Sequence, residues 1–364
     1  MSAVRIENLV KRFGDFVAVN EVSITAEEGR LTTLLGPSGC GKTTTLRMTS
    51  GLETPDSGEI WIGDDLVASP SKGINVAPEH RNVGMVFQSY AIWPHKTAFE
   101  NVAYPLKLRR MSKAQIRQRV EEIFSLLRLE GLEGRYPGQL SGGQQQRVAL
   151  GRAIVYQSRL LLLDEPLANL DAKVREAVRL ELKELQRQLK FTTIYVTHDQ
   201  AEAMAISDKI VVMDQGVVVQ EGTALEIYRT PRTKFVAEFV GQSNFVDGRL
   251  VSSNGSLGVV DVGEGIAIEA KVGEAGLDGG TVSLCIRPED FELSADRPVP
   301  GSRGRDWFEG NIRDFTFHGN IINYFVACGA HVLTVQSEAG SQLKFKEADK
   351  VYLRVRPNGA IVLS

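Results

Sequence analysis

The chain has 364 residues, which exceeds one typical domain, so two or three domains are expected. Hydrophobic residues make up 43% of the chain and charged residues 24%, which excludes a disordered tail protein, a collagen-like fibre and a coiled-coil rod. The formal net charge of -3 gives no reason to expect a nucleic-acid partner, because such partners usually bind a basic surface.

The cysteines and the apolar runs indicate where the protein works. The chain has three widely spaced cysteines, Cys40, Cys285 and Cys328. An odd number at this spacing fits neither a disulfide framework nor a four-ligand zinc site, and it favours a reducing compartment. Charged residues interrupt the first 15 positions, so no secretory signal is expected. No apolar run reaches the length of a membrane helix, and any membrane role is expected to come through a partner.

The first 240 residues alternate strand-like apolar runs with helical stretches. This alternation predicts an α/β fold with a mainly parallel sheet covered by helices. The predicted strands are Leu31 to Leu35, Val83 to Phe87, Leu160 to Leu163, Thr192 to Thr197 and Lys209 to Met213.

A phosphate-binding loop follows the first of these runs. Its glycines let the backbone curl so that successive N–H groups point at phosphate oxygens, and the helix that follows adds its positive dipole end. Lys42 is predicted to reach the β and γ phosphates of ATP, and Thr43 to bind Mg²⁺. The plain alternative is a glycine turn. The loop residues are Gly36, Pro37, Ser38, Gly39, Cys40, Gly41, Lys42 and Thr43.

An apolar strand, residues 160 to 163, ends in two acids, Asp164 and Glu165. Open α/β sheets bind ligands at the carboxyl ends of their strands, so both carboxylates are expected beside the phosphate loop. There Asp164 can hold Mg²⁺ while Glu165 polarises an attacking water. The alternative is an ordinary acidic end of a strand.

His198 ends another predicted strand, Thr192 to Thr197. A lone histidine is more often structural than catalytic. At the carboxyl end of a third strand, however, it can donate to a γ-phosphate oxygen or hold the attacking water. The sequence therefore predicts Glu165 and His198 as neighbours in one site.

Residues 140 to 144, LSGGQ, lie between the phosphate loop and the acidic strand end. This segment resembles the signature motif of ATP-binding cassette (ABC) proteins, a branch of the P-loop NTPases. The resemblance covers essentially the whole chain, because the phosphate loop, VFQSY with Gln88, LSGGQ, LLLLDEP, ANLDA and His198 occur in the family's order. It implies an ATPase cassette over residues 1–240, with a helical subdomain at about 89–155.

The family resemblance also implies a dimer in which two cassettes close head to tail on ATP. The phosphate loop of one chain would face the signature of the other, where a helix start forms a second anion site. Phe13 would stack on adenine. Gln88 would touch Mg²⁺ and the water, and Asp171 would lie in the loop that crosses the dimer. The signature residues are Ser141, Gly142, Gly143 and Gln144; Thr44 is added to the phosphate-loop set.

The segment after Gln88 is rich in aromatic and apolar residues. These residues are either the core of the helical subdomain or, as the family resemblance favours, an exposed groove that receives a helix of a membrane permease. Tyr90, Trp93 and Phe99 are the predicted contacts.

Residues 241–364 hold 17 of the 35 glycines and read as short strands between Gly, Asp and Asn turns. This pattern predicts a small all-β domain, and it resembles the oligomer-binding-fold (OB-like, TOBE-type) extension of bacterial importer ATPases. The resemblance implies a peripheral subunit at the cytoplasmic face of the inner membrane. It would serve two permeases and, indirectly, a solute-binding protein.

The resemblance leaves the imported solute open among polyamines, ferric iron, phosphonates and sugars. Two motifs, SYAIWPH and FENVAYPL, lean toward polyamine or iron importers. Two other functions also stay open. One is a soluble ABC protein that acts on nucleic acid or ribosomes, and the other is a regulatory subunit that sequesters a protein.

Overall fold

The computed structural model describes residues 3–272, 280–299, 305–340 and 343–363. Residue contacts divide the chain into two compact units, the first ending at Leu225 and the second beginning at Glu226. The composition of the sequence changes later, near Gly241. Residues 226–240 therefore belong to the second compact unit, although the sequence analysis places them in the cassette. No helix among the described residues has the length and apolar character needed to cross a membrane.

The first unit is built from strands and helices in alternation. Its strands are β1 (Val4–Phe13), β2 (Phe16–Ala26), β3 (Leu31–Leu35), β4 (Ser57–Ile62), β5 (Asp65–Ser69), β6 (Ile74–Asn75), β7 (Val83–Val86), β8 (Leu160–Asp164), β9 (Thr192–Thr197), β10 (Lys209–Asp214) and β11 (Val217–Gly222). Its helices are α1 (Lys42–Ser50), α2 (Ala98–Leu108), α3 (Lys113–Leu126), α4 (Gly142–Ile154), α5 (Ala172–Leu189) and α6 (Gln200–Ile206).

A mainly parallel sheet carries the order β11-β10-β3-β9-β8-β7. Strands β3, β8 and β9 are buried at every position, as expected for central strands covered on both faces. The register pairs Leu35 with Thr197 and Asp164 with Val196. The three strands therefore end at the same edge, and the segments that follow them meet there. The predicted parallel α/β sheet is confirmed.

A second, antiparallel sheet has the order β2-β1-β4-β5-β6. Strands β1 and β2 form a hairpin whose last pair is Phe13 with Phe16. Gly14 lies in the turn with a φ of 59°, a conformation that glycine adopts without steric cost. The hairpin leaves Phe13 at its exposed tip.

Helices α2, α3 and α4 pack around a buried apolar cluster that includes Val102, Val120 and Phe124. Helices α2 and α3 each begin with a capping box, in which a Thr or Ser side chain and a Glu or Gln three residues later bond the opposite backbone N–H. These helices fall within the stretch predicted as a helical subdomain. Helix α5 buries one apolar face, on which Val178, Leu182 and Leu185 lie three or four positions apart.

The second unit combines two short helices with two β layers. Its helices are α7 (Ala224–Arg229), whose first two residues belong to the first unit, and α8 (Lys234–Phe239). Its strands are β12 (Asn244–Asn254), β13 (Leu257–Asp261), β14 (Ala267–Lys271), β15 (Thr281–Ile286), β16 (Phe291–Ser294), β17 (Trp307–Phe317), β18 (Ile321–Cys328), β19 (His331–Glu338), β20 (Lys350–Val355) and β21 (Ala360–Leu363).

Five strands of the second unit close a barrel in the order β12-β13-β14-β21-β15, which confirms the barrel-like β domain. The other strands form a separate antiparallel sheet in the order β16-β20-β17-β18-β19, which the sequence did not predict. One apolar cluster contains residues of both, for example Val246 and Val335. Buried Arg287 donates to the carbonyls of Ala237 and Tyr228 and so ties α7 and α8 to the barrel.

Candidate active site

The phosphate loop leaves β3 and enters α1 at the carboxyl edge of the parallel sheet. A Cβ at Gly36 would lie 2.2 Å from the carbonyl oxygen of Met213, and one at Gly41, whose φ is 101°, would lie 2.4 Å from that of Ala18. Both positions therefore require glycine. Ser38 and Gly39 are exposed at the crest of the loop, whereas Cys40 is buried beneath it, and this burial raises the pKa of its thiol.

The Lys42 ammonium lies inside the loop. Its Nζ donates to the carbonyl oxygens of Gly36 at 2.8 Å and Pro37 at 2.7 Å, and only 4% of the residue is exposed. The loop carbonyls therefore hold a positive charge at the place where the sequence predicts phosphate. Thr44 follows in the first turn of α1, as predicted from its position.

Thr43 and Asp164 meet at the start of α1 and the end of β8. Thr43 Oγ1 donates to Asp164 Oδ1 over 2.9 Å. Burial raises the pKa of the Asp164 carboxyl, and the hydrogen bond from Thr43 acts in the opposite direction. A hydroxyl and a carboxylate are hard oxygen donors of the kind that Mg²⁺ prefers. No group of three or more His, Cys, Asp or Glu within the described ranges could hold a metal, so Mg²⁺ here would need further oxygens, such as those of phosphate.

The three residues predicted as catalytic meet at one oxygen atom. Glu165 Oε2 lies 3.1 Å from His198 Nδ1 and accepts a hydrogen bond from Gln88 Nε2 at 3.4 Å. Glu165 has a φ of 43° and donates its backbone N–H to the carbonyl oxygen of Val196 at 3.0 Å, which ties the turn after β8 to β9. A left-handed backbone at a non-glycine residue is strained and is often found at functional sites. The strain turns this carboxylate toward the Gln88 loop and His198.

Asn169 is a site residue that the sequence analysis missed. Its Nδ2 donates to the backbone carbonyl of Gln88 over 2.7 Å, so it anchors the loop that presents Gln88 to Glu165. The motif ANLDA contains Asn169, but the family resemblance assigns a role in it only to Asp171. An exposed asparagine carries no sequence signal for a partner 81 positions away.

Asp171 caps helix α5. Its Oδ1 accepts a hydrogen bond from the backbone N–H of Val174 at 3.1 Å, which satisfies one of the free donors at the helix start. This contact accounts for an aspartate at this position within a single chain. That Asp171 lies in the loop that crosses the dimer stays a prediction.

The signature segment forms the start of helix α4. Ser141 Oγ accepts from the N–H of Gln144 at 3.3 Å, and Gln144 Oε1 accepts from the N–H of Ser141 at 2.9 Å. Cβ atoms at Gly142 and Gly143 would lie 3.2 Å from side chains of Leu170 and Val174, so these glycines let α4 approach the start of α5 closely. Among the described residues, no hydrogen bond joins Ser141 or Gln144 to Glu165, Lys42 or His198.

Phe13 presents a ring that is 49% exposed at the tip of the first hairpin. Lys11 Nζ lies 5.2 Å from the ring centroid, a cation–π distance. About half of this residue is open to solvent, and the predicted adenine contact requires such exposure.

Comparison with known proteins establishes the family. The chain is 51% identical over 310 residues to the trehalose/maltose import ATP-binding protein MalK of Thermococcus litoralis, covering 83% of this chain and 82% of that one. The chain belongs to the ABC transporter family. Residues 19–168 match the ABC transporter family, and residues 284–363 match the TOBE domain. It is therefore an ATP-binding ABC ATPase of the type found in import systems.

Two further relatives cover nearly the whole chain. The Fe(3+) ions import ATP-binding protein FbpC of Agrobacterium fabrum is 45% identical, over 89% of this chain and 87% of its own. The spermidine/putrescine import ATP-binding protein PotA of Chromobacterium violaceum is 43% identical, over 92% and 90%. A solved dimeric ATP-binding cassette, in a post-hydrolysis state with ADP and Pi, matches at 32% identity with a TM-score of 0.53, over 61% of this chain and 98% of that one.

The predicted permease contacts divide into two kinds. Tyr90 is only 7% exposed and belongs to the core of the helical region, so its prediction as a surface contact is wrong in this conformation. Trp93 and Phe99 are half-buried. The Trp93 ring lies 4.6 Å from that of Tyr104, and the Arg152 guanidinium lies 4.7 Å from its centroid. Arg152 also donates to the carbonyls of Tyr90 and Ala91, which holds this segment against α4.

Proposed function

We propose that this ABC ATPase hydrolyses Mg²⁺-bound ATP at two composite sites of a head-to-tail homodimer and thereby powers solute import through two membrane permeases. The observation that carries the proposal is the meeting of Gln88, Glu165 and His198 at one carboxylate oxygen. This cluster lies at the sheet edge where the phosphate loop also begins.

The residues of the loop would bind the nucleotide. Backbone N–H groups of residues 38–43, which run from the loop into the start of α1, offer donors to phosphate oxygens, and Lys42 offers its ammonium. The other residues of the loop and of the start of α1 would act through their backbone, which lies close to the phosphates, and not through their side chains. Phe13 would stack on adenine. Thr43, Gln88 and Asp164 would hold Mg²⁺, which when bound neutralises phosphate charge.

Glu165 would act as the general base. Its carboxylate is mostly buried, with 17% of the side chain exposed, and is oriented by its backbone strain and by Gln88. A water hydrogen-bonded to it would lose a proton to Glu165 as it attacks the γ-phosphate. His198, whose side chain is 55% exposed, would donate a hydrogen bond to a γ-phosphate oxygen and so stabilise the charge that develops there.

The second half of each site would come from the partner chain. Ser141 to Gln144 begin a helix whose first N–H groups form an anion site, and no hydrogen bond among the described residues joins this segment to the Glu165 cluster. Asp171, at the neighbouring helix start, would face the same partner. The dimeric cassettes among the solved structures support this arrangement.

The names of the relatives support a role in import. They describe trehalose/maltose, Fe(3+) and spermidine/putrescine import, so the solute of this chain stays open among these classes, and the lean toward polyamines or iron stays a prediction. Trp93 and Phe99 remain our candidates for contact with the permeases, which would place the chain peripherally at the cytoplasmic face of the inner membrane. A solute-binding protein would act on it only through those permeases.

The experiment that tests this function combines nucleotide titration with hydrolysis. The full chain is titrated with ATP and Mg²⁺, and phosphate release is measured in parallel. Lys42→Ala is expected to abolish nucleotide binding, whereas Lys113→Ala, a change at an exposed lysine of α3, is the matched control. An unchanged titration of Lys42→Ala would remove this lysine from the site. Co-expression with candidate permeases and an uptake assay would then identify the solute.

A further inference from the structure

A buried carboxylate lies beneath the turn that carries His198. Glu202, in helix α6, is 3% exposed. Its Oε2 accepts hydrogen bonds from Tyr195 Oη and Thr197 Oγ1, each at 2.8 Å. Both hydroxyls belong to β9, the strand that ends one residue before His198. Glu202 therefore ties α6 to the end of this strand.

Thr197 has a second contact that Tyr195 lacks. Its Oγ1 also accepts from the backbone N–H of Asp199 at 2.9 Å, and Asp199 Oδ1 accepts from the N–H of Glu202 at 3.0 Å. Thr197 and Asp199 flank His198 in the chain. The backbone on both sides of His198 is thus held by one closed set of hydrogen bonds, all anchored at Glu202.

The His198 side chain itself has little support. It is 55% exposed, and its hydrogen bond within the described residues is the one with Glu165 Oε2 at 3.1 Å. The direction of its ring therefore depends on the backbone beneath it. A displacement of about 1 Å at a reacting group can lower a rate by about 100-fold, so such backbone support has catalytic consequences.

We infer that Glu202, acting through Thr197, is a positioning residue that fixes the His198 turn for ATP hydrolysis. The inference rests on the proposed role of His198. Tyr195 Oη bonds the same carboxylate oxygen, and within the part of the chain that the structure describes its hydroxyl has no hydrogen bond to the His198 turn. Loss of either hydroxyl removes a buried hydrogen bond to Glu202, but only loss of the Thr197 hydroxyl also removes the bond to the backbone N–H of Asp199.

The test compares Thr197→Val with Tyr195→Phe in the full chain. Both changes remove a hydroxyl with almost no change in shape. Thr197→Val is expected to lower kcat about tenfold or more while KM stays within about twofold, because orientation rather than binding is lost. Tyr195→Phe is expected to keep kcat within about twofold of the unchanged protein, although its melting temperature falls. Thr197→Ser, which keeps the hydroxyl, should restore kcat.

A second readout does not depend on catalysis. The chain has 5 histidines, so the ring signals of His198 can be assigned by comparing NMR spectra with those of His198→Ala. These signals should shift or broaden in Thr197→Val and stay in place in Tyr195→Phe. Equal loss of kcat in both variants, or unchanged His198 signals in Thr197→Val, would overturn the inference.

The His198→Ala variant separates the two proposals. If it retains the kcat of the unchanged protein, the proposed role of His198 fails, while the NMR comparison still decides whether Glu202 and Thr197 position the ring. If it loses kcat but Thr197→Val does not, the role of His198 stands and the positioning inference fails.

Discussion

Thr43 Oγ1 donates to Asp164 Oδ1 over 2.9 Å, although the two residues are 121 positions apart in the chain. This bond joins the start of the phosphate-loop helix to the end of strand β8. It brings together the two oxygen donors proposed for Mg²⁺ and leaves Asp164 buried, with 6% of the residue exposed. The site therefore carries a carboxylate in an environment that penalises its charge.

We predict that Asp164→Asn stabilises the ligand-free protein at neutral pH. Burial raises the pKa of Asp164, so the folded state holds its proton to higher pH than the unfolded state. The stability of the unchanged protein therefore falls as the pH rises from the ordinary pKa of Asp to the raised pKa of Asp164. The full cost of the buried charge is present above the raised pKa. The variant lacks that cost, and its amide oxygen can still accept from Thr43. At pH 7 its melting temperature should be about 2–4 °C higher, the effect of about 1 kcal/mol.

Thermal melting at several pH values checks this prediction. The difference between the variant and the unchanged protein should shrink as pH falls toward about 4, the ordinary range of Asp. Asp15→Asn, at the exposed hairpin turn, is the control and should show no such difference. A gap that stays constant with pH would contradict the assignment of the cost to Asp164 charge. With Mg²⁺ and ATP added, Asp164→Asn should gain less stability than the unchanged protein.

Glu165→Gln is expected to stop hydrolysis while ATP binding persists. The amide cannot accept a proton from water, so turnover should fall about 100-fold or more. Because ATP stays intact, the closed dimer should accumulate. Phosphate release, ATP titration and gel filtration with ATP measure the three effects. A variant that remains monomeric with ATP, or turns over at the original rate, would show that Glu165 is not the base.

Mixing two inactive chains tests the composite sites. In a heterodimer of Lys42→Ala and Ser141→Arg chains, both defects fall at one interface and the other site is intact. The mixture should therefore regain activity relative to either variant alone, provided that one site can turn over. Each variant mixed with itself is the control. Heterodimers that form but stay inactive would count against the head-to-tail arrangement, or would mean that turnover requires ATP hydrolysis at both sites together.

Arg81 is expected to contribute strongly to stability. Its guanidinium donates to the carbonyls of Met48 at 2.7 Å and Thr49 at 3.1 Å, at the end of α1, and burial lowers its pKa to about 10. Arg81→Met should cost about 2–4 kcal/mol, because these buried carbonyls lose their donor. Arg159→Met breaks an exposed pair with Asp65 and should cost less than about 1 kcal/mol. Denaturant unfolding compares them, and equal losses would refute the proposed role of Arg81.

Trp93→Ala distinguishes a docking surface from a core. If the half-buried ring contacts a permease, the variant should keep basal hydrolysis and most of its stability but co-purify poorly with its permeases, since interface aromatics often contribute over about 2 kcal/mol. Phe124→Leu, a change in the core of the same helical region, is the control for lost packing. It should lower the melting temperature without a specific assembly defect. A large fall in the melting temperature of Trp93→Ala with normal assembly would exclude docking.

Much of the first unit follows from local sequence. Strands β3, β8 and β9 are short buried runs. Gly36 directly follows β3, Asp164 ends β8 and His198 directly follows β9, and the glycine and lysine spacing of the phosphate loop is required by few other structures. Such patterns predict the strands, and the rule that ligands bind at carboxyl ends of parallel strands predicts that the site residues gather at one edge. The register of Leu35 with Thr197 and of Asp164 with Val196 confirms that gathering.

Other features depend on contacts between residues far apart in the chain. Local pattern does not show whether an aromatic residue is covered, and Tyr90 is buried because α4 packs over it, with Arg152 bonding its carbonyl. In the sheet from β16 to β20, strands β17, β18 and β19 pair in sequence, but β20 pairs with β16 and β17 from much earlier in the chain, and period and turn residues do not specify these distant pairings.

The sequence by itself determined the family and the class of chemistry and predicted the residues that carry it, because glycine spacing and acids at strand ends are local requirements of phosphate and metal binding. Only the tertiary structure decided which atoms meet. The convergence on Glu165 Oε2, the anchoring of the Gln88 loop by Asn169 and the support of His198 by Glu202 all depend on side chains brought together by packing. Hydrogen bonds across such separations leave no periodic trace in the chain.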